Sequence, residues 1–290
     1  CFKLMRSFTP IVPQSSLCQA FMDRVGRDPN RLACSFQGQN WTYAEFARLI
    51  VRSRAQLQAW GVRSGDRVAA LSLGHPLQLA ALFALADLGA IWVPLNFRLA
   101  PTEWAQVIDD CQPVCLLADE AYGSQAQELV QSRPLPCHAL SELTRSGHDA
   151  DDAPTTIPTP DHSSNDLPVL LVYTSGTTGK AKGAVNTHSN MLMQSVYMHG
   201  IEWGMHRDDR FMVTTPIAHR AGFARLLNAM GLGGTLVIMD RFDATMAVDV
   251  IERERISVTG LPPTVIRMML PQIRENPARL STLRVVAVST

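Results

Sequence analysis

Net charge is missing from this sequence: 26 Lys and Arg balance 26 Asp and Glu. No basic run exceeds scattered pairs. Phosphate neutralisation along nucleic acid needs a Lys/Arg excess or a basic stripe, so no nucleic-acid partner is expected. Cysteine is sparse at six residues, without a C-x-x-C pair. Only Cys111 and Cys115 lie close together, and no disulfide framework results. Buried, reduced thiols are the expectation, and with them a reducing, cytoplasmic location. The eight histidines show no H-x-x-x-H or Cys/His spacing, so no structural zinc is proposed. No long apolar signal-peptide core opens the chain. Low hydrophobicity joined to high net charge, the mark of disorder, is absent too, with 46% hydrophobic and 18% charged residues.

What is present is a length of 290 residues, enough for one large domain or two small ones. An uncharged stretch of 19 residues runs from Val68 to Ala86. It approaches the length of a membrane span, but Gly74-His75-Pro76 interrupts it. It divides better into a strand over 68–73, a turn, and a helix over 76–88 that Gly89 stops. A second strand over 90–93 completes a βαβ unit of buried parallel type. No transmembrane segment is expected.

Upstream, a short hairpin over 32–41 precedes Thr42-Tyr43-Ala44-Glu45, a capping box that opens a helix ending at Gly61. Strands are expected at 114–118 and 169–173, separated by a polar connection over 147–168. A second βαβ unit over 210–239 echoes the first: Asp66-Arg67-Val68 aligns with Asp209-Arg210-Phe211, His75 with His219, and Gly89 with Gly233. The offsets are 143, 144 and 144, as an internal repeat would give. Alternating strands and helices make the fold α/β, with largely parallel sheets.

Immediately after the apolar strand at 169–173, residues 174–183 crowd Ser, Thr, Gly and Lys together. Glycine lets backbone N–H groups approach an anion, hydroxyls add donors, and Lys180 and Lys182 add charge. The segment reads as a phosphate cradle. It is not a Walker A loop, which needs Gly at 174 and Ser or Thr at 181; those positions hold Thr174 and Ala181. Nor is Ser175 in a G-x-S-x-G elbow, since Tyr173 and Thr177 flank it.

Tyr173-Thr174-Ser175-Gly176-Thr177-Thr178-Gly179-Lys180-Ala181-Lys182-Gly183 closely resembles the signature loop of the adenylate-forming superfamily, which includes acyl-CoA synthetases, luciferases and adenylation domains. Ala181 stands where the family usually has Pro, at a cost in rigidity but not in donors. Gly89-Ala90-Ile91-Trp92-Val93-Pro94-Leu95-Asn96 resembles its "GAVxVPLN" strand, Thr42-Tyr43-Ala44-Glu45 its "TYxEL" helix start, and Pro216-Ile217-Ala218-His219 its "PxxH" segment. The likeness covers essentially the whole chain, in order.

The resemblance implies two related layered α/β subdomains of an incomplete N-terminal AMP-binding domain. One would span about 64–200, the other about 12–60 plus 208–290. It implies ATP-dependent activation of a fatty or aryl carboxylic acid to an acyl-adenylate, then thioester formation with coenzyme A, with Mg²⁺ as the metal. Thr174, Ser175, Gly176, Thr177, Thr178, Gly179 and Lys180 would hold the triphosphate, with Lys182 as a loop anchor. His219 would orient the carboxylate, and Arg220, Gly222 and Phe223 would wall the acyl site, with Arg225 on the same helix. His75 reads as structural. Trp92, Met191, Met193, Tyr197 and Met198 are further apolar candidates; Met191 and Met198, seven apart, should share a core-facing side of one helix.

By the same resemblance, the adenine-site segment, an acidic residue that helps hold Mg²⁺, the ribose-binding Asp and the C-terminal domain with its catalytic Lys would all follow Thr290. The sequence thus reads as a fragment, not fully active alone. A different class remains open: a truncated, catalytically silent acyl- or nucleotide-binding or regulatory module. A carrier-protein thiol or oxygen as acceptor, the acid itself and the oligomeric state are likewise open.

Overall fold

In the computed structural model, the described residues are 16–145, 167–174, 181–214 and 216–288. The chain enters through helix α1 (Leu17–Arg27), then hairpin β1 (Leu32–Phe36) and β2 (Gln39–Thr42), and helix α2 (Tyr43–Ala59). The expected capping box is in place: the Thr42 hydroxyl accepts from the Glu45 N–H at 3.2 Å, and the Glu45 carboxylate accepts from the Thr42 N–H at 2.7 Å. A run of β3 (Arg67–Leu71), α3 (Pro76–Leu88), β4 (Ile91–Leu95), α4 (Pro101–Cys111), β5 (Cys115–Ala118), α5 (Gly123–Val130) and β6 (Cys137–Ala139) follows. Strands β7 (Pro168–Thr174) and β8 (Lys182–Thr187) form a second hairpin, followed by short helices α6 (His188–Leu192) and α7 (His199–Glu202). The chain then runs through β9 (Arg210–Val213), α8 (Arg220–Leu232), β10 (Thr235–Ile238), α9 (Ala244–Arg253), β11 (Val258–Gly260), α10 (Pro263–Glu275) and β12 (Val285–Ala287).

The strands make two six-stranded sheets, ordered β6-β5-β3-β4-β7-β8 and β12-β11-β9-β10-β1-β2. Every neighbouring pair is parallel except the terminal hairpins, β7 with β8 and β1 with β2. Successive side chains on a strand point to opposite faces, and both faces here are apolar. Val68, Ala70, Trp92, Phe211, Val213, Leu236 and Ile238 join the large central core. Ala69, Leu71 and Val93 face an outer layer with residues of α4 and α5. Met212, Val237 and Met239 face the opposite outer layer, with residues of α9 and α10. The result is five layers, with helices outside and between the sheets.

Helix α3 accounts for the long uncharged stretch. It lies in the central layer against α2, α1 and β4, with all but two of its residues buried. A helix surrounded on all sides by protein needs no polar face. Among the described residues no helix is long and apolar enough to cross a membrane.

The repeat extends beyond the aligned residues. The Asp66 and Asp209 carboxylates accept from the N–H three residues earlier, at 2.7 and 2.8 Å. Ile91 N–H donates to Asp66 C=O, and Thr235 N–H to Asp209 C=O. Val114 N–H donates to Arg67 C=O, as Ser257 N–H does to Arg210 C=O. Gly89 (φ 69°) ends α3 and Gly233 (φ 84°) ends α8 in the left-handed region that glycine tolerates. The two sheets match in strand order and direction as well, so the β1–β2 hairpin occupies the place in one sheet that β7–β8 occupies in the other.

One expectation fails on helical phase. Met191 is 1% exposed but Met198 is 57% exposed. Residues Met193–Met198 form a π-helical turn, which takes more residues per turn than an α-helix and rotates Met198 off the Met191 face. Asn228, fully buried on α8, donates its side-chain amide to the Ser195 C=O in this widened turn.

Candidate active site

Ligands of open α/β sheets bind beyond the carboxyl ends of the strands, and at those ends lie Asn96, Thr174 and His219. Strands β4 and β7 run parallel with Trp92 beside Leu170. Thr174 ends β7 four residues beyond Leu170, and Asn96 follows the end of β4 four residues beyond Trp92. Thr174 pairs with Lys182 across the β7–β8 hairpin, and both are exposed. These two form the neck from which the Ser/Thr/Gly/Lys loop departs. Ser175, Gly176, Thr177, Thr178, Gly179 and Lys180 lie outside the described residues. Ala181, at the family's Pro position, packs against the outer core. Tyr173 ties the strand end to α4 by donating its hydroxyl to Asp110.

His219 arrives from the other sheet. The turn after β9 is closed by the His219 N–H donating to Pro216 C=O at 2.9 Å, with Pro216, Ile217 and Ala218 buried. The His219 backbone then starts α8, while its side chain makes no capping bond. The ring edge reaches solvent, and Nε2 lies 3.1 Å from Asn96 Nδ2. Partial burial first, and the Arg98 charge second, hold its pKa below the ordinary imidazole value, so the ring is neutral at pH 7. Among the described residues no carboxylate pairs with the exposed Arg98, whose guanidinium lies 5.7 Å from the Phe97 ring centre.

The remaining candidates are less uniform. Gly222 is buried, and Phe223, 1% exposed, is a member of the central core. Arg220 is the first residue of α8; its side chain lies outside the described residues. Arg225 is buried beside the Trp203 ring at 5.0 Å and His199 at 3.3 Å. Trp92 is fully buried, whereas Tyr197 is 43% exposed. Sequence reasoning quoted Asn96 as part of a motif without giving it a role. Its signal was positional: it is the first residue past an apolar parallel strand.

His75, the repeat counterpart of His219, is used differently. Its Nδ1 accepts from the Leu77 N–H at 3.1 Å, capping its own helix, and its ring packs edge-on against Phe36. The counterpart of Asn96, at the same offset of 144, is Asp240. A cavity of about 430 Å³ opens here, lined in part by Phe36, His75, Asp119, Glu120 and Asp240. It is larger than the hollow lined by Pro216, Phe97 and Arg241, yet no Lys or Arg lines it. Its carboxylates would repel a polyphosphate. The counterpart hairpin closes on Gln37 and Gly38 alone, both with positive φ, a tight two-residue turn without cations.

Among the described residues no group of three or more His, Cys, Asp or Glu could hold a metal ion.

This arrangement is that of an adenylate-forming enzyme's N-terminal region, and the chain belongs to the AMP-binding enzyme family, whose model matches residues 21–289. It is 32% identical over 287 residues to indoleacetate–CoA ligase of Aromatoleum aromaticum, covering 93% of this chain and 54% of that protein. It is 34% identical over 262 residues to feruloyl-CoA synthase of an Amycolatopsis species, covering 90% and 51%. Its fold is similar to the N-terminal domain of FACL13 from Mycobacterium tuberculosis, solved with an inhibitor (TM-score 0.80, 25% identity, covering 94% and 69%). It is also similar in fold to O-succinylbenzoate coenzyme A synthetase from Bacillus subtilis in complex with AMP (TM-score 0.80, 24% identity, covering 93% and 67%). The chain spans about half the length of the curated relatives it matches.

Proposed function

We propose that this chain supplies the triphosphate loop and part of the carboxylate site of an ATP-dependent acid–CoA ligase acting on a fatty or aryl acid. The observation that carries this reading is the junction of the two sheets. The neck of the Ser/Thr/Gly/Lys loop at Thr174 and Lys182 ends β7, the parallel neighbour of β4, and Asn96 just past β4 contacts His219 from the opposite sheet. The names of the curated relatives support it; they are CoA ligases for indoleacetate, ferulate, succinylbenzoate and long-chain fatty acids.

The chemistry sets an electrostatic problem. A carboxylate must attack the α-phosphorus of ATP, an anion meeting a polyanion. Donors and cations on the β- and γ-phosphates relieve that repulsion and stabilise the departing pyrophosphate. Thr174, Ser175, Gly176, Thr177, Thr178, Gly179 and Lys180 take that task in this reading, with Lys182 anchoring the loop. A neutral His219 orients the carboxylate without abstracting a proton from it, which an ionised acid does not need. Arg220 and Gly222 border the acyl group; buried Phe223 shapes the site through packing. Coenzyme A is the acceptor in this reading, and the location is cytoplasmic.

The test is ATP–pyrophosphate exchange by the protein that carries this chain, with indoleacetate, ferulate, succinylbenzoate and fatty acids of graded length. At least one acid should support exchange, and Lys180→Ala should lower it about 100-fold, the scale of losing one transition-state contact. Exchange with no acid, or full exchange by the variant, would refute the reading.

A further inference from the structure

The Asn96 side chain can be oriented in one way only. Its Oδ1 accepts from the Arg98 backbone N–H at 3.1 Å, and a side-chain NH₂ could not take that role. Its Nδ2 therefore faces His219 Nε2, at 3.1 Å. An amide NH₂ only donates, so Nε2 must accept and cannot carry a proton. The ring's single proton then sits on Nδ1. The asparagine is itself held: its backbone C=O accepts from the Trp104 indole N–H at 2.9 Å. Arg98, the charged neighbour acting on the ring, disfavours a second proton.

We propose that Asn96 is a positioning residue that locks His219 in the Nδ1–H tautomer, so that the candidate site presents a donor from Nδ1. The consequence for activity rests on the ligase reading above; the tautomer does not. A donor suits a site for a carboxylate or the phosphate of an acyl-adenylate, both of which only accept. Among the described residues no hydrogen-bond partner occupies Nδ1. The repeat supplies an internal control: in His75 it is Nδ1 that accepts, from Leu77 N–H, so its proton belongs on Nε2. Two equivalent histidines carry opposite tautomers because one caps its helix and the other meets an asparagine from the opposite sheet.

The experiment is a long-range ¹H–¹⁵N correlation on the full chain with labelled histidine, above the ordinary imidazole pKa, with His219→Gln identifying the ring. His219 should show a bare Nε2 and a protonated Nδ1, and His75 the reverse; a protonated Nε2 on His219 overturns the proposal. Asn96→Asp keeps an acceptor for the Arg98 N–H but offers a second one to His219, so it should move the proton to Nε2 while the His75 signals stay fixed. Unmoved His219 signals beside an intact His75 pattern also overturn it. In pyrophosphate exchange, Asn96→Asp should lower kcat about 10- to 100-fold with the KM for ATP little changed, the scale of a misaligned contact; an unchanged kcat with a flipped tautomer removes the positioning role. If the tautomers read as expected and no acid supports exchange, the ligase reading fails and the tautomer assignment stands.

Discussion

Gly74 is the point where the two sheets touch backbone to backbone, and replacing it with alanine should be costly. Its N–H donates to Asp240 C=O at 2.8 Å. A Cβ added there would lie 2.3 Å from Met239 O, 3.2 Å from Asp240 O and 3.3 Å from Ile238 Cγ2. The nearest obstacle is a carbonyl at the end of β10, which cannot rotate away as a side chain could. The loop over 73–75 or β10 must separate by several tenths of an ångström, straining the cross-sheet hydrogen bond. Overpacking costs about 1–3 kcal/mol and a weakened hydrogen bond about 1 kcal/mol, so Gly74→Ala should lose about 2–4 kcal/mol. Urea unfolding of the chain measures this as a lower midpoint at constant slope. Gly26 provides the matched control. It lies within α1, and a Cβ there meets nothing within 4 Å. The same substitution should be stabilising by up to about 1 kcal/mol, since alanine is the better helix former. A Gly74→Ala change within about 0.5 kcal/mol of the parent would refute the close-approach argument.

Asp209 and Asp66 open equivalent strands, but Asp209 has more to lose. Its carboxylate, 2% exposed, accepts from His206 N–H, Ser257 Oγ at 2.7 Å and Arg284 Nη2 at 2.5 Å; Asp66 accepts from Arg63 N–H. Asp209→Ala should cost about 3 kcal/mol and Asp66→Ala about 1 kcal/mol in the same urea assay, and equal losses would contradict this. His75, His138 and His219 are all held below the ordinary imidazole pKa, chiefly by burial. As pH falls through about 6.5 the unfolded chain takes up protons first, so stability is full above that value and declines below it. The urea midpoint should therefore drop between pH 7.5 and 5.5. His75→Asn, which keeps a capping acceptor, should flatten that drop, and an unchanged slope would remove His75 from the account.

The fold was legible where one physical signal sufficed. The capping box at Thr42 and the glycine stops at Gly89 and Gly233 are local backbone chemistry, and apolar runs bounded by turn residues gave the parallel strands. The division of 68–86 into strand and helix followed from Gly74-His75-Pro76. Less accessible were features made by two distant segments. The π-turn at Met193–Met198 fits α8, where Gly231 leaves room for Val196: a Cβ on it would stand 2.3 Å from Val196 Cγ2. Periodicity within one helix cannot carry that information. The same holds for Asn96 and His219, 123 residues apart in the chain. Each motif was visible in the sequence; that Asn96, just past β4, meets the histidine before α8 is a fact of sheet-to-sheet packing.

The shared strand order also fixes a timetable for synthesis. All strands of the β7–β8 sheet fall within residues 67–187, so that half can pair as it emerges. In the other sheet the β1–β2 hairpin is made well before β3, yet β1 finds its parallel partner only at β10, where Cys34 pairs with Leu236. At about 5–20 residues per second the hairpin waits some tens of seconds with one edge unpaired. Strand β4, at the place in its sheet that β10 holds in the other, would offer β1 a wrong edge during that wait. The correct neighbour of β4, namely β7, precedes β10 in the chain, and its docking on β4 would close that wrong partnership before the right one exists.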